Sequence, residues 1–238
     1  MPLGDGLFGD SKGKNDLRGV NEALDALKES RTGVHCLMVY PDLPSFRAIY
    51  STYTKIQLEN NNEIVLILPY YETPHMVRLV LSGMNSSNNV NSNVGLFSGI
   101  NVEKYEREGS LIIRDSLKAN VDSHQEQWGD EYQKHSNDTT KNMNLMTFLS
   151  ILFRHATRRQ KHGVTLLLDM GLFYHSLYDH QIQRLEKFEA TIPKKYENMN
   201  LKVFCLYHQR DFERRFNQEQ QAILLDYHSR NIMLVSAD

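Results

Sequence analysis

The chain has 238 residues, 40% hydrophobic and 10% aromatic, enough for one sizeable buried core. Its formal charge of -2 gives no global pull toward nucleic acid or an anionic membrane surface, and two cysteines are too few for a disulfide-stapled secreted fold. The opening Met1-Pro2-Leu3-Gly4-Asp5-Gly6 lacks the apolar core of a signal peptide and no apolar run reaches transmembrane length. The expectation is a cytoplasmic protein with reduced, buried thiols and neither membrane nor nucleic acid as partner.

Residues 1–32 read as a flexible N-terminus carrying one short amphipathic helix over 16–29. There Leu17, Val20, Leu24 and Leu27 recur at helical spacing and would cover a sheet edge. From residue 33 onward, short apolar runs alternate with helical stretches. The runs are 34–40, 63–70, 110–115, 164–170, 201–208 and 231–236. Each is nearly continuous in hydrophobicity, as strands of a parallel sheet are when both faces are covered.

The first run is followed by a helix over 44–60, with Phe46, Ile49, Tyr50, Tyr53 and Ile56 on one face. Thr73-Pro74 is a cap followed by proline at the first helical position, opening a helix with Met76, Val77, Val80 and Leu81 inward. Residues 84–98 are Asn/Ser-rich and read as a mobile insertion. Residues 120–143 form a long polar loop with the single tryptophan, Trp128, and suit either an ordinary excursion packed by Trp128 or a lid or partner-binding flap.

Asn144 can cap a helix whose core face is Leu145, Phe148, Leu149, Leu152 and Phe153, ending at His162 before Gly163. Ile182, Leu185, Phe188 and Ile192 mark a further helix, stopped by Pro193. Phe212, Phe216, Ile223 and Tyr227 mark the last. The alternation predicts one α/β domain over 33–238, a three-layer α/β/α sandwich on a mostly parallel six-stranded sheet.

In a parallel sheet, ligands collect beyond the carboxyl ends of the strands. Those ends supply Tyr40, Asp42, Tyr71, Glu72, Asp169 and His208, which are the candidate ligand-binding residues. The turn after the first strand, Pro41-Asp42-Leu43-Pro44-Ser45-Phe46-Arg47, stands where a nucleotide-binding protein carries its phosphate loop. It has neither the glycines that allow close backbone approach nor the lysine that meets phosphate. Asp169 ends an apolar strand, as a magnesium-holding carboxylate does elsewhere, but nothing here would place a phosphate against it.

A check for metal ligands leaves a metal or thiol sensor only as the lesser alternative, at the pairs His35-Cys36 and Cys205/His208 on strands that could lie close together. His175 and His180 are five apart, off the i, i+4 face of a helical pair. His35 and Cys36 point to opposite faces of their strand; Cys205 and His208 lie on another. Buried thiols and a satisfied histidine are expected, with no cofactor. The basic stretch Arg154–His162 fits a solvated helix C-terminus.

The order of segments from Tyr50 to Leu111 resembles the KaiC branch of RecA-like ATPases. Tyr71-Glu72-Thr73-Pro74 is similar to its Glu-Glu-Thr-Pro motif in all but the first glutamate, and Val164–Asp169 looks like the Walker B strand. A closer resemblance, over about residues 33–236, is to the DcmR-like sensory (MEDS) domains, KaiC-like domains without the phosphate loop. It rests on Gly33–Tyr40, on Val203–His208 with the helix that follows, and on His228 with the strand 231–235.

This resemblance implies a signalling domain that senses small organic compounds, suggests an archaeal origin, and places the last strand beside the first and the first beside the fifth. Cys36 and Cys205 would then sit on neighbouring strands. The functional expectation is a non-catalytic sensory or regulatory domain that binds a small organic ligand and signals to a regulatory protein partner. The alternatives are a degenerate KaiC-like ATP-binding protein or ATPase, and a homo-oligomeric interaction scaffold.

Overall fold

In the computed structural model, residues 16–29, 33–84, 99–116, 145–174, 181–196 and 200–235 are described. The apolar runs become β2 (His35–Tyr40), β3 (Ile64–Leu68), β4 (Leu111–Ile113), β5 (Val164–Asp169), β6 (Leu201–His208) and β7 (Arg230–Leu234). A short β1 (Asp16–Arg18) joins them in one sheet of order β1-β7-β2-β6-β5-β3-β4, in which every neighbouring pair is parallel. The last strand therefore lies beside the first apolar run, and that run beside β6, as the resemblance implied. Residues of β2, β3, β5 and β6 are buried along almost their whole lengths, which is why those strands read as unbroken apolar runs.

The helices are α1 (Val20–Lys28), α2 (Leu43–Glu59), α3 (Pro74–Leu81), α4 (Val102–Arg107), α5 (Leu145–Arg158), α6 (Gly171–Tyr174), α7 (Gln181–Tyr196), α8 (Gln209–Arg215) and α9 (Gln218–Tyr227). One face of the sheet packs Cys36, Met38, Val65, Ile67, Phe204 and Leu206 against Leu24 and Leu27 of α1, Phe46 and Ile49 of α2, and Val77 of α3. The other packs Leu37, Val39, Leu66, Leu168 and Cys205 against Leu149 and Leu152 of α5, Leu185 and Phe188 of α7, and Leu224 of α9. Each such aliphatic or aromatic side chain contributes roughly 1.5–3 kcal/mol by leaving water. The result is the expected three-layer α/β/α sandwich. Cys36 and Cys205 lie on neighbouring strands but on opposite faces, because Cys36 pairs with Phe204 and Leu37 with Cys205.

At the amino ends of the strands a charged side chain from β6 is buried and answered. Lys202 Nζ donates to Glu63 Oε1 at 2.7 Å and to Gln57 Oε1 at 3.1 Å. The Thr165 hydroxyl donates to Glu63 Oε2 at 2.6 Å. This lattice joins α2, β5 and β6 at the end of the sheet opposite the candidate site.

Four boundaries differ from the sequence expectation. The first helix begins at Val20, not residue 16, because Asp16–Arg18 pair with the open edge of β7 and Gly19 forms the helix cap. The long helix ends at Arg158; Gln160 then takes a left-handed φ of 54° and turns the chain before His162. Pro193 does not stop α7, which runs on to Tyr196, although the missing N–H removes the helical bond to the carbonyl of Glu189.

The last predicted helix is two, α8 and α9. Asn217 accepts from Gln220 N at 2.9 Å and Gln220 Oε1 accepts from Asn217 N at 3.0 Å, a reciprocal capping box that starts a new helix. Most of the Asn/Ser-rich segment 84–98 and all of the 120–143 loop with Trp128 lie outside the described residues.

Candidate functional site

The turn from β2 into α2 is the first element of the site. Asp42 is the N-cap of α2, and its Oδ1 accepts from Ser45 N at 2.8 Å, with Pro44 in the first turn. The positive end of a helix attracts an anion. Here the chain's own carboxylate occupies that position, and the turn has no glycine or lysine to receive a phosphate.

Asp169 closes β5 with 0% exposure. Its Oδ2 accepts from the backbone N–H groups of Tyr70 at 3.1 Å and Tyr71 at 3.2 Å, and its Oδ1 from Gly171 N at 3.2 Å. Burial pushes this carboxyl up to about 7 against the pull of those three N–H groups. Asp169 thus ties the turn after β3 to the turn after β5, and its oxygens point at backbone rather than at solvent.

Glu72 is likewise spent. Its Oε1 accepts from Arg47 Nε and sits 2.7 Å from the second guanidinium nitrogen, while Oε2 accepts from the Tyr50 hydroxyl at 3.1 Å. Burial, with Glu72 alongside, drives the Tyr50 hydroxyl far above its ordinary range, so it stays a donor. The only acid of the partial Glu-Glu-Thr-Pro motif is therefore held between α2 and the turn after β3.

The aromatic members do converge. Tyr40 and His208 are register partners at the ends of β2 and β6, their rings edge-on with centroids 5.4 Å apart. Tyr71 tilts over His208 at 5.3 Å, and Phe46 stacks on Tyr40 at 4.6 Å. The Tyr71 hydroxyl donates to Asp211 Oδ2 on α8. The Nδ1 of His208 is buried and has no hydrogen-bond partner among the described residues.

Of the six predicted residues, Tyr40, Tyr71 and His208 form one aromatic group at the strand ends. Asp169 lies beneath the turn carrying Tyr71, and Glu72 follows that turn. Asp42 serves the start of α2. Tyr40 and Asp169 have no exposed surface, so they support the crest and offer no atoms to solvent. Arg47 and Asp211 belong to the same neighbourhood and were not singled out from the sequence; Arg47 stood in the very turn that was read for what it lacked.

A second polar group lies inside the α7 face of the sheet; of its members, Glu189 is absent from the sequence reading and His228 enters there only as part of the family resemblance. Glu189 Oε2 is 3.0 Å from His35 Nε2 and 3.2 Å from His228 Nε2. Cys205 Sγ is 3.4 Å from both Glu189 Oε2 and His35 Nε2. Glu189 Oε1 accepts from the Tyr207 hydroxyl at 2.7 Å. All five residues are buried. The available signal was Glu189 itself, a carboxylate within the apolar stripe Leu185, Phe188 and Ile192 of α7.

The chain matches no family model, no curated protein and no solved structure. No helix among the described residues is long and apolar enough to cross a membrane.

Proposed function

We propose that this chain is a non-catalytic sensory or regulatory domain that binds a small organic ligand at the strand ends and signals to a protein partner. The observation that carries this reading is the Asp42 carboxylate seated at the N-terminus of α2, where a nucleotide-binding protein would hold phosphate. The fates of Glu72 and Asp169 support it: both acids that could hold magnesium or activate water are engaged by Arg47, Tyr50 and backbone N–H groups. Tyr71, His208 and Arg47 would meet the ligand, the rings giving apolar contact and the two nitrogenous groups fixing orientation. Tyr40, Asp42, Glu72 and Asp169 would position them. The resemblance to DcmR-like sensory domains and the RecA-like strand order agree with this reading.

Calorimetric titration with ATP and magnesium tests it directly. The expected result is no magnesium-dependent binding; tight binding would replace this reading by that of a nucleotide-binding protein. Native mass spectrometry of freshly purified protein, compared with the denatured mass, is expected to show a retained small organic molecule. That mass should be lost from the Tyr71→Ala, His208→Ala double variant.

A further inference from the structure

The buried group His35, Glu189, Cys205 and His228 has the donor set and the spacing of a metal site. The donor atoms all lie within 4.8 Å of one another. A tetrahedral zinc ion with ordinary bond lengths would set its nitrogen and oxygen ligands about 3.3 Å apart and its sulfur about 3.5 Å from either. Four of the six edges are 3.0 and 3.2 Å between nitrogen and oxygen, and 3.4 Å from sulfur to His35 Nε2 and to Glu189 Oε2. These four lie within a few tenths of an ångström of the requirement, and the two remaining, from His228 Nε2 to His35 Nε2 and to Cys205 Sγ, are within 4.8 Å.

The outer contacts point the same way. His35 Nδ1 is 3.3 Å from Tyr227 O and His228 Nδ1 is 2.6 Å from Leu224 O. A carbonyl accepts only, so each Nδ1 carries its proton and each Nε2 presents a lone pair inward. This is the arrangement in which ligating histidines are held, and the Tyr207 hydroxyl on Glu189 Oε1 orients the carboxylate in the same manner.

Hydrogen bonds alone do not satisfy these atoms. With both imidazoles neutral, the thiol holds the single inward proton, and Glu189 Oε2 faces two nitrogen lone pairs. With both charged, two imidazolium rings would sit buried with centroids 4.0 Å apart, against one carboxylate. With one charged, the other nitrogen still meets the carboxylate as acceptor against acceptor. The Nε2 of His228 lies 3.2 Å from Glu189 Oε2 yet makes no well-formed hydrogen bond to it. A central cation satisfies all four donors at once.

The geometry points to a closed divalent-metal site in which His35 Nε2, His228 Nε2, Cys205 Sγ and Glu189 Oε2 hold one zinc-class ion. A thiolate with two imidazoles excludes magnesium and calcium, which take oxygen ligands, and favours zinc or a similar first-row ion. With four protein ligands and no open position, the ion would be structural, joining β2, α7, β6 and the segment after α9. The site lies inside the sheet face and is independent of the strand-end crest.

Metal analysis of the full-length protein as purified should give close to one equivalent of zinc-class metal per chain. Cobalt(II) titration of chelator-treated protein should saturate at one equivalent, with intense tetrahedral d–d bands and a near-ultraviolet thiolate charge-transfer band, both removed by zinc. The Cys205→Ser variant should lose the charge-transfer band, whereas Cys36→Ser, on the opposite sheet face, should keep it. Should Cys205→Ser fail to fold, Glu189→Gln serves, with an expected fall in cobalt affinity of at least tenfold. Folded wild-type protein that takes up no stoichiometric cobalt or zinc would overturn the proposal. A weak octahedral cobalt spectrum without thiolate charge transfer, or loss of that band on Cys36→Ser instead, would overturn it equally.

Discussion

Replacing Asp169 by asparagine separates a structural carboxylate from a chemical one. In the native chain three backbone N–H groups, those of Tyr70, Tyr71 and Gly171, converge on its two oxygens at 3.1–3.2 Å. An asparagine keeps one acceptor oxygen and turns an NH2 toward an N–H it cannot bond. Leaving a buried donor unsatisfied costs about 1–3 kcal/mol, which is the expected loss for D169N where the aspartate is compared in the same charge state.

The charge adds a pH dependence of known sign. Burial raises the Asp169 carboxyl from 3.8 in the unfolded chain to about 7 in the native one. Between those values the native state holds a proton that the unfolded chain has released, so wild-type stability falls as pH rises through the window. The ceiling on that fall is about 4 kcal/mol at 1.36 kcal/mol per unit. The substituted amide does not titrate. Urea unfolding at about pH 4.5 and about pH 8 should therefore show D169N costing most at the lower pH, with the gap narrowing or reversing at the higher. Parallel unfolding of the two proteins at both pH values would refute the structural role given to Asp169.

Three further substitutions probe the far end of the sheet and the elements that frame the site. Lys202→Met strands the buried Glu63 carboxylate beside Thr165 and should cost about 3–5 kcal/mol, measured by urea unfolding. Arg47→Met removes both guanidinium contacts from Glu72 while leaving the Tyr50 hydroxyl. It should cost about 1.5–3 kcal/mol and, if the crest binds as proposed, release the co-purified mass. At Gly171 a methyl group would lie 2.4 Å from Tyr70 Cδ1, so Gly171→Ala must displace that ring. The expected cost is about 1–3 kcal/mol with a shifted Tyr70 ring resonance; an unchanged resonance would contradict the packing.

The strands and their parallel arrangement were legible because burial on both faces leaves a one-dimensional trace, the unbroken apolar run. Thr73 with Pro74 and the covered helix faces were legible for the same local reason. The split between α8 and α9 had a local signal in Asn217 and Gln220, but the aromatic pattern of Phe212, Phe216 and Tyr227 ran across it. Residues 16–18 could not be placed from sequence, since their pairing depends on the free edge that β7 offers from the other end of the chain.

Position at the strand ends was likewise written in the sequence, and so was the missing phosphate loop. What each polar residue does there was decided by tertiary structure. Glu72 and Asp169 read as candidate ligand-binding acids until the fold brings Arg47, Tyr50 and three backbone N–H groups to them. The His35–Glu189–Cys205–His228 group shows the same limit more sharply. No spacing rule links two strands, a helix face and the turn after another helix; only the sheet order β7-β2-β6, with α7 laid across it, brings their donor atoms together. Hydrophobic periodicity is a local property of the chain, whereas the charge and coordination state of a buried polar atom depend on neighbours that folding alone supplies.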